Sequence, residues 1–235
     1  MWTRIGIPIL LAGLAVFAGA NDSDPSNTAS TPPTARSMDH IQIDRDAGRI
    51  DLDAQVVLRD GDWLELLACA PKSREHESIL TVNARPSHIH LALLMLGLKP
   101  GSPMNWYKEK DQIVMRPPSG PKVAISLLYQ HDGKQLEVPA NEWIVNQETG
   151  EVLAGNQWLF AGSNFAEVNG KRVYAADLNG TIISLVNFGD DILARSTKVT
   201  NRDDNAVWAA NTEQIPPEGT AVTIRLQVLK PAPQK

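Results

Sequence analysis

WLELLACAPKSREHESILTVNARPSHIHLALLMLGLKPG, residues 63–101, decides how this chain is read. Two apolar runs, WLELLACA (63–70) and ESILTVNA (77–84), flank the charged stretch PKSREH (71–76). Apolar runs of this length, bounded by turn residues, read as strands. A short polar link between two strands predicts a hairpin, which would lay residues 64–70 against 76–82 and set Cys69 beside His76 at its mouth. Alternation would put Trp63, Glu65, Leu67 and Cys69 on one face, with Ser78 and Leu80 on the face of His76. RPSHIHLALLMLGLKPG (85–101) then reads as a helix. Pro86 and Ser87 suit its first turn, Ile89, Ala92, Leu93 and Leu96 recur at helical spacing, and Gly97 with Pro100 marks its end. Leu91, Leu94 and Met95 fill the other faces, so a central helix near 86–97, buried on most sides, is expected.

Outward from this stretch, strands dominate. HIQIDRDAGRIDLDAQVVL (40–58) alternates on both sides of the Asp46-Ala47-Gly48 corner and reads as a hairpin. KVAISLLYQHDGKQLEVPA (122–140) is another, turning at Asp132-Gly133, and NEWIVNQ (141–147) holds one helical turn. NWYKEKD (105–111) reads as loop, while segments 157–177 and 181–188 read as strands. AVTIRLQVLK (221–230) is a long alternating strand behind IPPEG. The expected fold class is α+β, dominated by strands in antiparallel hairpins, with one buried helix.

Residues 1–20 carry Arg4, an apolar run at 5–17, and the small residues Ala18-Gly19-Ala20, the layout of a secretory signal peptide. An uncleaved anchor is the other reading, but the run is shorter than the roughly 20 residues that span a bilayer core. Residues 21–39, rich in Ser, Thr, Asn, Asp and Pro, read as a disordered linker. Residues 40–232 read as a single globular domain, exported to the periplasm or beyond, with no transmembrane helix once the leader is cleaved. A net charge of −5 argues against nucleic-acid binding, which needs a basic face. A single cysteine allows no intrachain disulfide.

ELLACAPKSREHESILTV, ARPSHIHLALLMLGLKPG, NQWLFAGSNF and IPPEGTAVTI together resemble the YdjY-type domain family of bacterial proteins. The resemblance covers residues 40–230, and its most specific parts are His76-Glu77-Ser78, the Pro86-Ser87-His88 helix start and the Leu-Gly-Leu-Lys-Pro-Gly helix end. It implies an exported protein of the kind common in planctomycete-type bacteria, and it implies no particular reaction. Some members of the wider family are described as ferredoxin-like. One cysteine cannot supply the four thiolates of an iron–sulfur cluster, so none is expected here.

The candidate site residues are Cys69, His76, Glu77, Ser78, His88, His90 and Trp106. Zinc or copper would accept a thiolate and imidazoles, and Cys69, His76 and His88 would be the ligands. No zinc-finger or HExxH spacing is present, and His88 and His90 on a helix point about 200° apart. The plainer reading has His88 satisfying backbone groups at the helix start and His90 packing. Cys69 with His76, oriented by Glu77 or Glu65, could form a nucleophilic pair, although a cysteine between two alanines is more often a small core residue. Ser78 lacks the G-x-S-x-G elbow, and its tripeptide is expected to bond the hairpin turn, with an ion pair to Lys72, Arg74 or a neighbouring arginine. Trp106 is the exposed aromatic best placed for a ligand contact. Asp190-Asp191 and Asp203-Asp204 are adjacent pairs whose side chains diverge, so neither is an acid/base dyad by itself. The expected function is a non-enzymatic accessory or binding domain for an unidentified exported protein or small molecule, with no cofactor. The alternative is a small metal-binding or redox protein using Cys69 and His76.

Overall fold

The computed structural model describes residues 36–61, 63–200 and 207–229. The expected signal peptide, most of the expected linker and the Asp203-Asp204 pair lie outside them.

The chain opens with β1 (Arg36–Met38), β2 (Ile41–Asp44) and β3 (Arg49–Val56), an antiparallel meander. β1 is a correction: residues 36–38, taken as the tail of a disordered linker, pair with β2 from Arg36 opposite Ile43 to Met38 opposite Ile41. β4 (Leu66–Cys69) and β5 (Ser78–Val82) flank a 3-10 turn at Glu75–Glu77, and α1 (Pro86–Met95) follows. β6 (Asn105–Glu109) and β7 (Gln112–Arg116) form a separate ribbon, so the NWYKEKD segment is strand where loop was expected. β8 (Lys122–His131) and β9 (Lys134–Pro139) are the predicted hairpin, with Asp132 and Gly133 both at positive φ in the turn. Next come a 3-10 turn at Ala140–Trp143, β10 (Ile144–Asn146) and β11 (Trp158–Phe160). β12 (Phe165–Val168) and β13 (Lys171–Tyr174) make a second ribbon that leads into the short α2 (Ala175–Asn179). β14 (Thr181–Ser184), β15 (Leu193–Ala194), β16 (Trp208–Ala210) and β17 (Ala221–Val228) complete the order.

Eight strands close into a barrel in the order β3-β17-β8-β11-β15-β14-β4-β5, with β5 returning to β3. Closure works because two strands fork. β3 offers Arg49–Leu52 to β2 and Ala54, Gln55 and Val56 to β5 along one edge, while its other edge holds β17. β8 likewise pairs with β11 at Lys122 and Val123 and with β9 from Ser126 onward. A closed sheet leaves no long unpaired edge. The long strands alternate as half-buried strands should. Val222, Ile224 and Leu226 of β17 point inward beside Leu52 and Ile50 of β3 and Leu127 and Ile125 of β8. On the outer face, Arg225 donates twice to the Asp51 carboxylate at 2.8 Å and once to Glu137 at 3.0 Å, tying three strands together.

β4, β5 and β14 do not alternate. Every residue in them is buried, as in strands covered on both faces. This underlies the main correction to the fold. β4 and β5 are parallel, with Leu66 opposite Ser78 and Cys69 opposite Thr81. Residues 70–77 are therefore a short crossover, not the tip of a hairpin. β14 and β15 are also parallel, and the other barrel pairs are antiparallel. The architecture is mostly β, a mixed barrel with two helices packed on it, in place of an α+β stack of antiparallel hairpins around a central helix.

α1 lies to one side of the barrel. Ile89, Ala92 and Leu93 face the core, whereas Leu91 is 45% and Leu94 is 40% exposed, so burial on most sides was an overestimate. Its first turn is satisfied from α2: Asp177 accepts from the Ser87 N–H at 2.7 Å and from Arg85 Nε at 2.7 Å. Because Leu93 is fully buried in the main core, Leu93→Ala is expected to cost about 3 kcal/mol in urea unfolding. A loss below about 0.5 kcal/mol would show that α1 is not part of the core.

Candidate functional site

The crossover between β4 and β5 is held by its own side chains. Lys72 takes a left-handed conformation, and its N–H donates to Glu75 Oε1 at 3.0 Å. Ser73 Oγ donates to the Ala70 carbonyl, and the Glu77 N–H to that of Arg74. This knot presents Arg74, whose Nη1 donates to Glu77 Oε1 at 2.8 Å and whose guanidinium lies 4.4 Å over the Phe188 ring. Of the ion pairs expected for the 76–78 tripeptide, with Lys72, Arg74 or a neighbouring arginine, Glu77 forms the one with Arg74.

Phe188 belongs to the second wall, the loop after β14. Asp191 folds it: its carboxylate, fully buried, accepts from the N–H groups of Phe188 at 3.2 Å and Gly189 at 3.0 Å. Burial pushes this carboxyl up to about 6, and the neighbouring Asp190 charge adds to the shift. Asp190, 8% exposed, has partners different from those of Asp191, so the adjacent pair forms no shared dyad. Its Oδ2 accepts from Asn179 Nδ2 at 2.5 Å, while Oδ1 is buried with no hydrogen-bond partner among the described residues. Asn164 Nδ2 donates to the Gly189 carbonyl. Asn187 holds the chain beyond, donating to Thr197 O at 2.7 Å and Val199 O at 2.9 Å.

The third wall is the base of the β6–β7 ribbon: Met104, Asn105 and Trp106. The three walls border a cleft of about 310 Å³, and Arg74, Trp106, Asn164, Asn179 and Asp190 are among the described residues that line it. Trp106 is 51% exposed beside it.

The other sequence candidates are dispersed. Cys69 has no exposed surface, and burial pushes its thiol up, which disfavours the thiolate that nucleophilic or metal chemistry needs. The His76 side chain is 79% exposed. The parallel register separates the two: His76 precedes Ser78, which aligns with Leu66, whereas Cys69 aligns with Thr81 at the other end of the strand pair. The expected proximity of Cys69 and His76 across a hairpin is therefore corrected. The same register brings Glu65 to Glu77, with the Glu65 N–H donating to the Glu77 carbonyl at 3.1 Å. Burial, reinforced by the Glu77 charge, raises the Glu65 carboxyl to about 7.

Ser78 is buried and donates to the Leu80 carbonyl at 3.1 Å. His88 lines a separate shallow hollow with His40 and Arg85. His90 Nδ1 meets the Tyr174 hydroxyl at 2.8 Å, and that hydroxyl donates to Gly162 O at 3.0 Å, so the imidazole is half-buried, hydrogen-bonded and packed edge-on to Phe160. Burial lowers its pKa. No cluster of three or more His, Cys, Asp or Glu side chains able to hold a metal ion occurs among the described residues. No described helix is long and apolar enough to cross a membrane.

Of the expected site residues, Glu77 and Trp106 meet at the cleft, Glu77 through Arg74. Sequence reasoning did not assign Asn164, Asn179, Phe188 and Asp190 to a site. The available signal was an acidic pair set between the apolar segments TIISLVNF and ILA, where a carboxylate must be buried and therefore bonded. No curated protein and no solved structure shows significant similarity to the chain. The profile of the YdjY domain matches residues 41–227, nearly all of the barrel and all three walls of the cleft, and the chain belongs to the YdjY domain family.

Proposed function

We propose that this protein is an exported accessory domain that binds a small polar molecule in the cleft between the 70–77 crossover, the 187–191 loop and the base of β6. One observation carries the reading: the cleft is lined by Arg74, whose Nε and Nη2 have no hydrogen-bond partner among the described residues, together with Asn164, Asn179, Asp190 and the half-exposed Trp106, so open donors, polar side chains and an aromatic ring share one concave site. The leader-like layout of residues 1–20 supports export. Nothing comparable favours the metal or redox alternative, since Cys69 is sealed in the core and His76 stands in solvent.

Native mass spectrometry of protein recovered from the envelope of producing cells tests both parts. The chain is expected to begin at Asn21 and to carry a small molecule that leaves on denaturation and is absent from Trp106→Ala. An intact Met1 would overturn export. Protein without any adduct, or an adduct indifferent to Trp106→Ala, would overturn the binding role of the cleft.

A further inference from the structure

We infer that the cleft takes one neutral sugar unit, its ring against Trp106 and its hydroxyls shared among Arg74, Asn164 and Asn179. The inference rests on the cleft being a binding site and adds the class of ligand.

Trp106 supplies the ring face. It lines the cleft half-exposed, with no ring partner and no cation over it among the described residues, whereas its neighbour Tyr107 carries Arg116. The indole face is the negative side of its quadrupole and attracts the C–H hydrogens of a pyranose. The hydrogen-bonding groups are mixed in kind. Arg74 bonds Glu77 through Nη1 and rests on Phe188, and its Nε and Nη2, without partners among the described residues, remain as two donors in one plane. Asn164 and Asn179 are exposed and spend their Nδ2 groups on the Gly189 carbonyl and on Asp190 Oδ2. Each is left with its amide oxygen as the group it offers a ligand, an acceptor. A hydroxyl both donates and accepts, so a ring carrying several of them matches such a mixture without requiring donors and acceptors at opposite ends.

The charges favour a neutral ligand. Among the described residues one cation and one carboxylate line the cleft, and the protein holds both, Arg74 through Glu77 and Asp190 through Asn179. An anion would meet the Asp190 charge as well as that of Arg74, and a cation the reverse, so a net charge on the ligand gains little. A flat heteroaromatic base would also stack on Trp106, but it carries fewer groups to match the polar side chains on its other sides. A volume of about 310 Å³ lies at the small end of ligand sites, which suits a single ring unit over a long stretch of polymer.

Isothermal titration of the purified protein at neutral pH tests the assignment. The probes are glucose, galactose, mannose, N-acetylglucosamine, lactose, maltose, cellobiose and chitobiose, with glucuronic acid, glucosamine and uridine for comparison. At least one neutral sugar is expected to saturate at one site, and the two charged sugars and uridine are expected to bind no tighter. Trp106→Ala removes the ring face at a half-exposed position and should weaken that sugar at least about tenfold, whereas Trp106→Phe, which keeps a ring, should lose less. Arg74→Lys keeps the charge without the planar fork and should weaken it about tenfold as well. The two Trp106 variants keep the test decisive if the Arg74 variant unfolds. A disaccharide that binds tighter than its constituent sugar identifies the end of a glycan as the source, and equal binding identifies a free sugar. Sugar binding indifferent to Trp106→Ala overturns the assignment. So does glucuronic acid, glucosamine or uridine binding more than about tenfold tighter than every neutral sugar, and so does failure of every sugar to bind. The cleft reading falls with it only where native mass spectrometry also finds no adduct that depends on Trp106. A Trp106-dependent adduct of other chemistry overturns the sugar and leaves the cleft as a binding site.

Discussion

Gly120→Ala is expected to abolish folding, or to cost more than about 4 kcal/mol where folded protein can be recovered. Three backbone segments meet at this point. The Gly101 N–H donates to the Phe160 carbonyl at 3.0 Å, and the Phe160 N–H donates to the Pro121 carbonyl at 2.9 Å. Gly120, at φ +151°, lies directly against Phe160, so a β-carbon would overlap its carbonyl oxygen and sit 2.7 Å from its carbonyl carbon. A β-carbon on Gly101 would overlap the Ser119 carbonyl in the same way. Backbone cannot rotate aside as the end of a long side chain can, so relief would have to move β11, which bridges β8 and β15 in the barrel wall. Gly133→Ala is the matched control. Gly133 also has positive φ, but its β-carbon would meet nothing within 4 Å, so a loss of about 1 kcal/mol from the left-handed conformation alone is expected. Urea unfolding of both variants separates the two effects. A Gly120→Ala loss no larger than that of Gly133→Ala would show that the three segments do not approach this closely.

The legible parts of this fold were those governed by local rules. Alternation in β17 and β8, the Asp132-Gly133 turn and the Pro86 helix start follow from side-chain period and turn chemistry, and each is present. The β4–β5 pairing was not legible because its direction is set by tertiary packing. WLELLACA and ESILTVNA with a short charged link satisfy the hairpin rule, yet the link is long enough to cross over. Burial on both faces also removes the alternation that could have opposed the hairpin. That single inversion relocated the site. It dissolved the Cys69–His76 pair and put Glu65 beside Glu77. The exposure of Leu91 and Leu94 was hidden for a related reason, since an apolar helix with no polar stripe does not announce which side the barrel covers. The cleft draws on residues 74, 106, 164, 179, 188 and 190, and no local pattern joins positions that only barrel closure brings together.

Acidification from neutral pH to about pH 4 is expected to stabilise the protein, because two of its carboxyls hold their protons better folded than unfolded. Asp191 rises from an ordinary 3.8 to about 6, chiefly through burial, and the N–H donors of Phe188 and Gly189 only partly oppose this. Glu65 rises from 4.5 to about 7, first through burial and then through the charge and hydrogen bond of Glu77, with Arg74 pulling the other way. When the folded value lies above the unfolded one, the folded chain binds the extra proton. The contribution is complete below the unfolded value and is lost as pH climbs through the folded value. The Asp191 contribution is therefore lost between about pH 4 and 6, and the Glu65 contribution between about pH 4.5 and 7. At about 1.4 kcal/mol per unit, Asp191 contributes about 3 kcal/mol, and Glu65, discounted because it retains contact with solvent, about 2 kcal/mol. Urea midpoints across pH 4.5–7.5 should fall as pH rises. Glu65→Gln, a neutral isostere that can still donate to Glu77, should flatten the upper part of that fall and make the variant more stable than the parent above pH 7. Asp191→Asn should flatten the lower part, with some loss at every pH from the acceptor it removes. Midpoints that do not change with pH, or a slope that survives in the double variant, would show that both carboxyls ionise freely. The upper part of the window also reaches the cleft. Glu77 is shared between the Glu65 carboxyl and Arg74, so loss of the Glu65 proton leaves two negative charges competing for the guanidinium that forms one wall of the cleft.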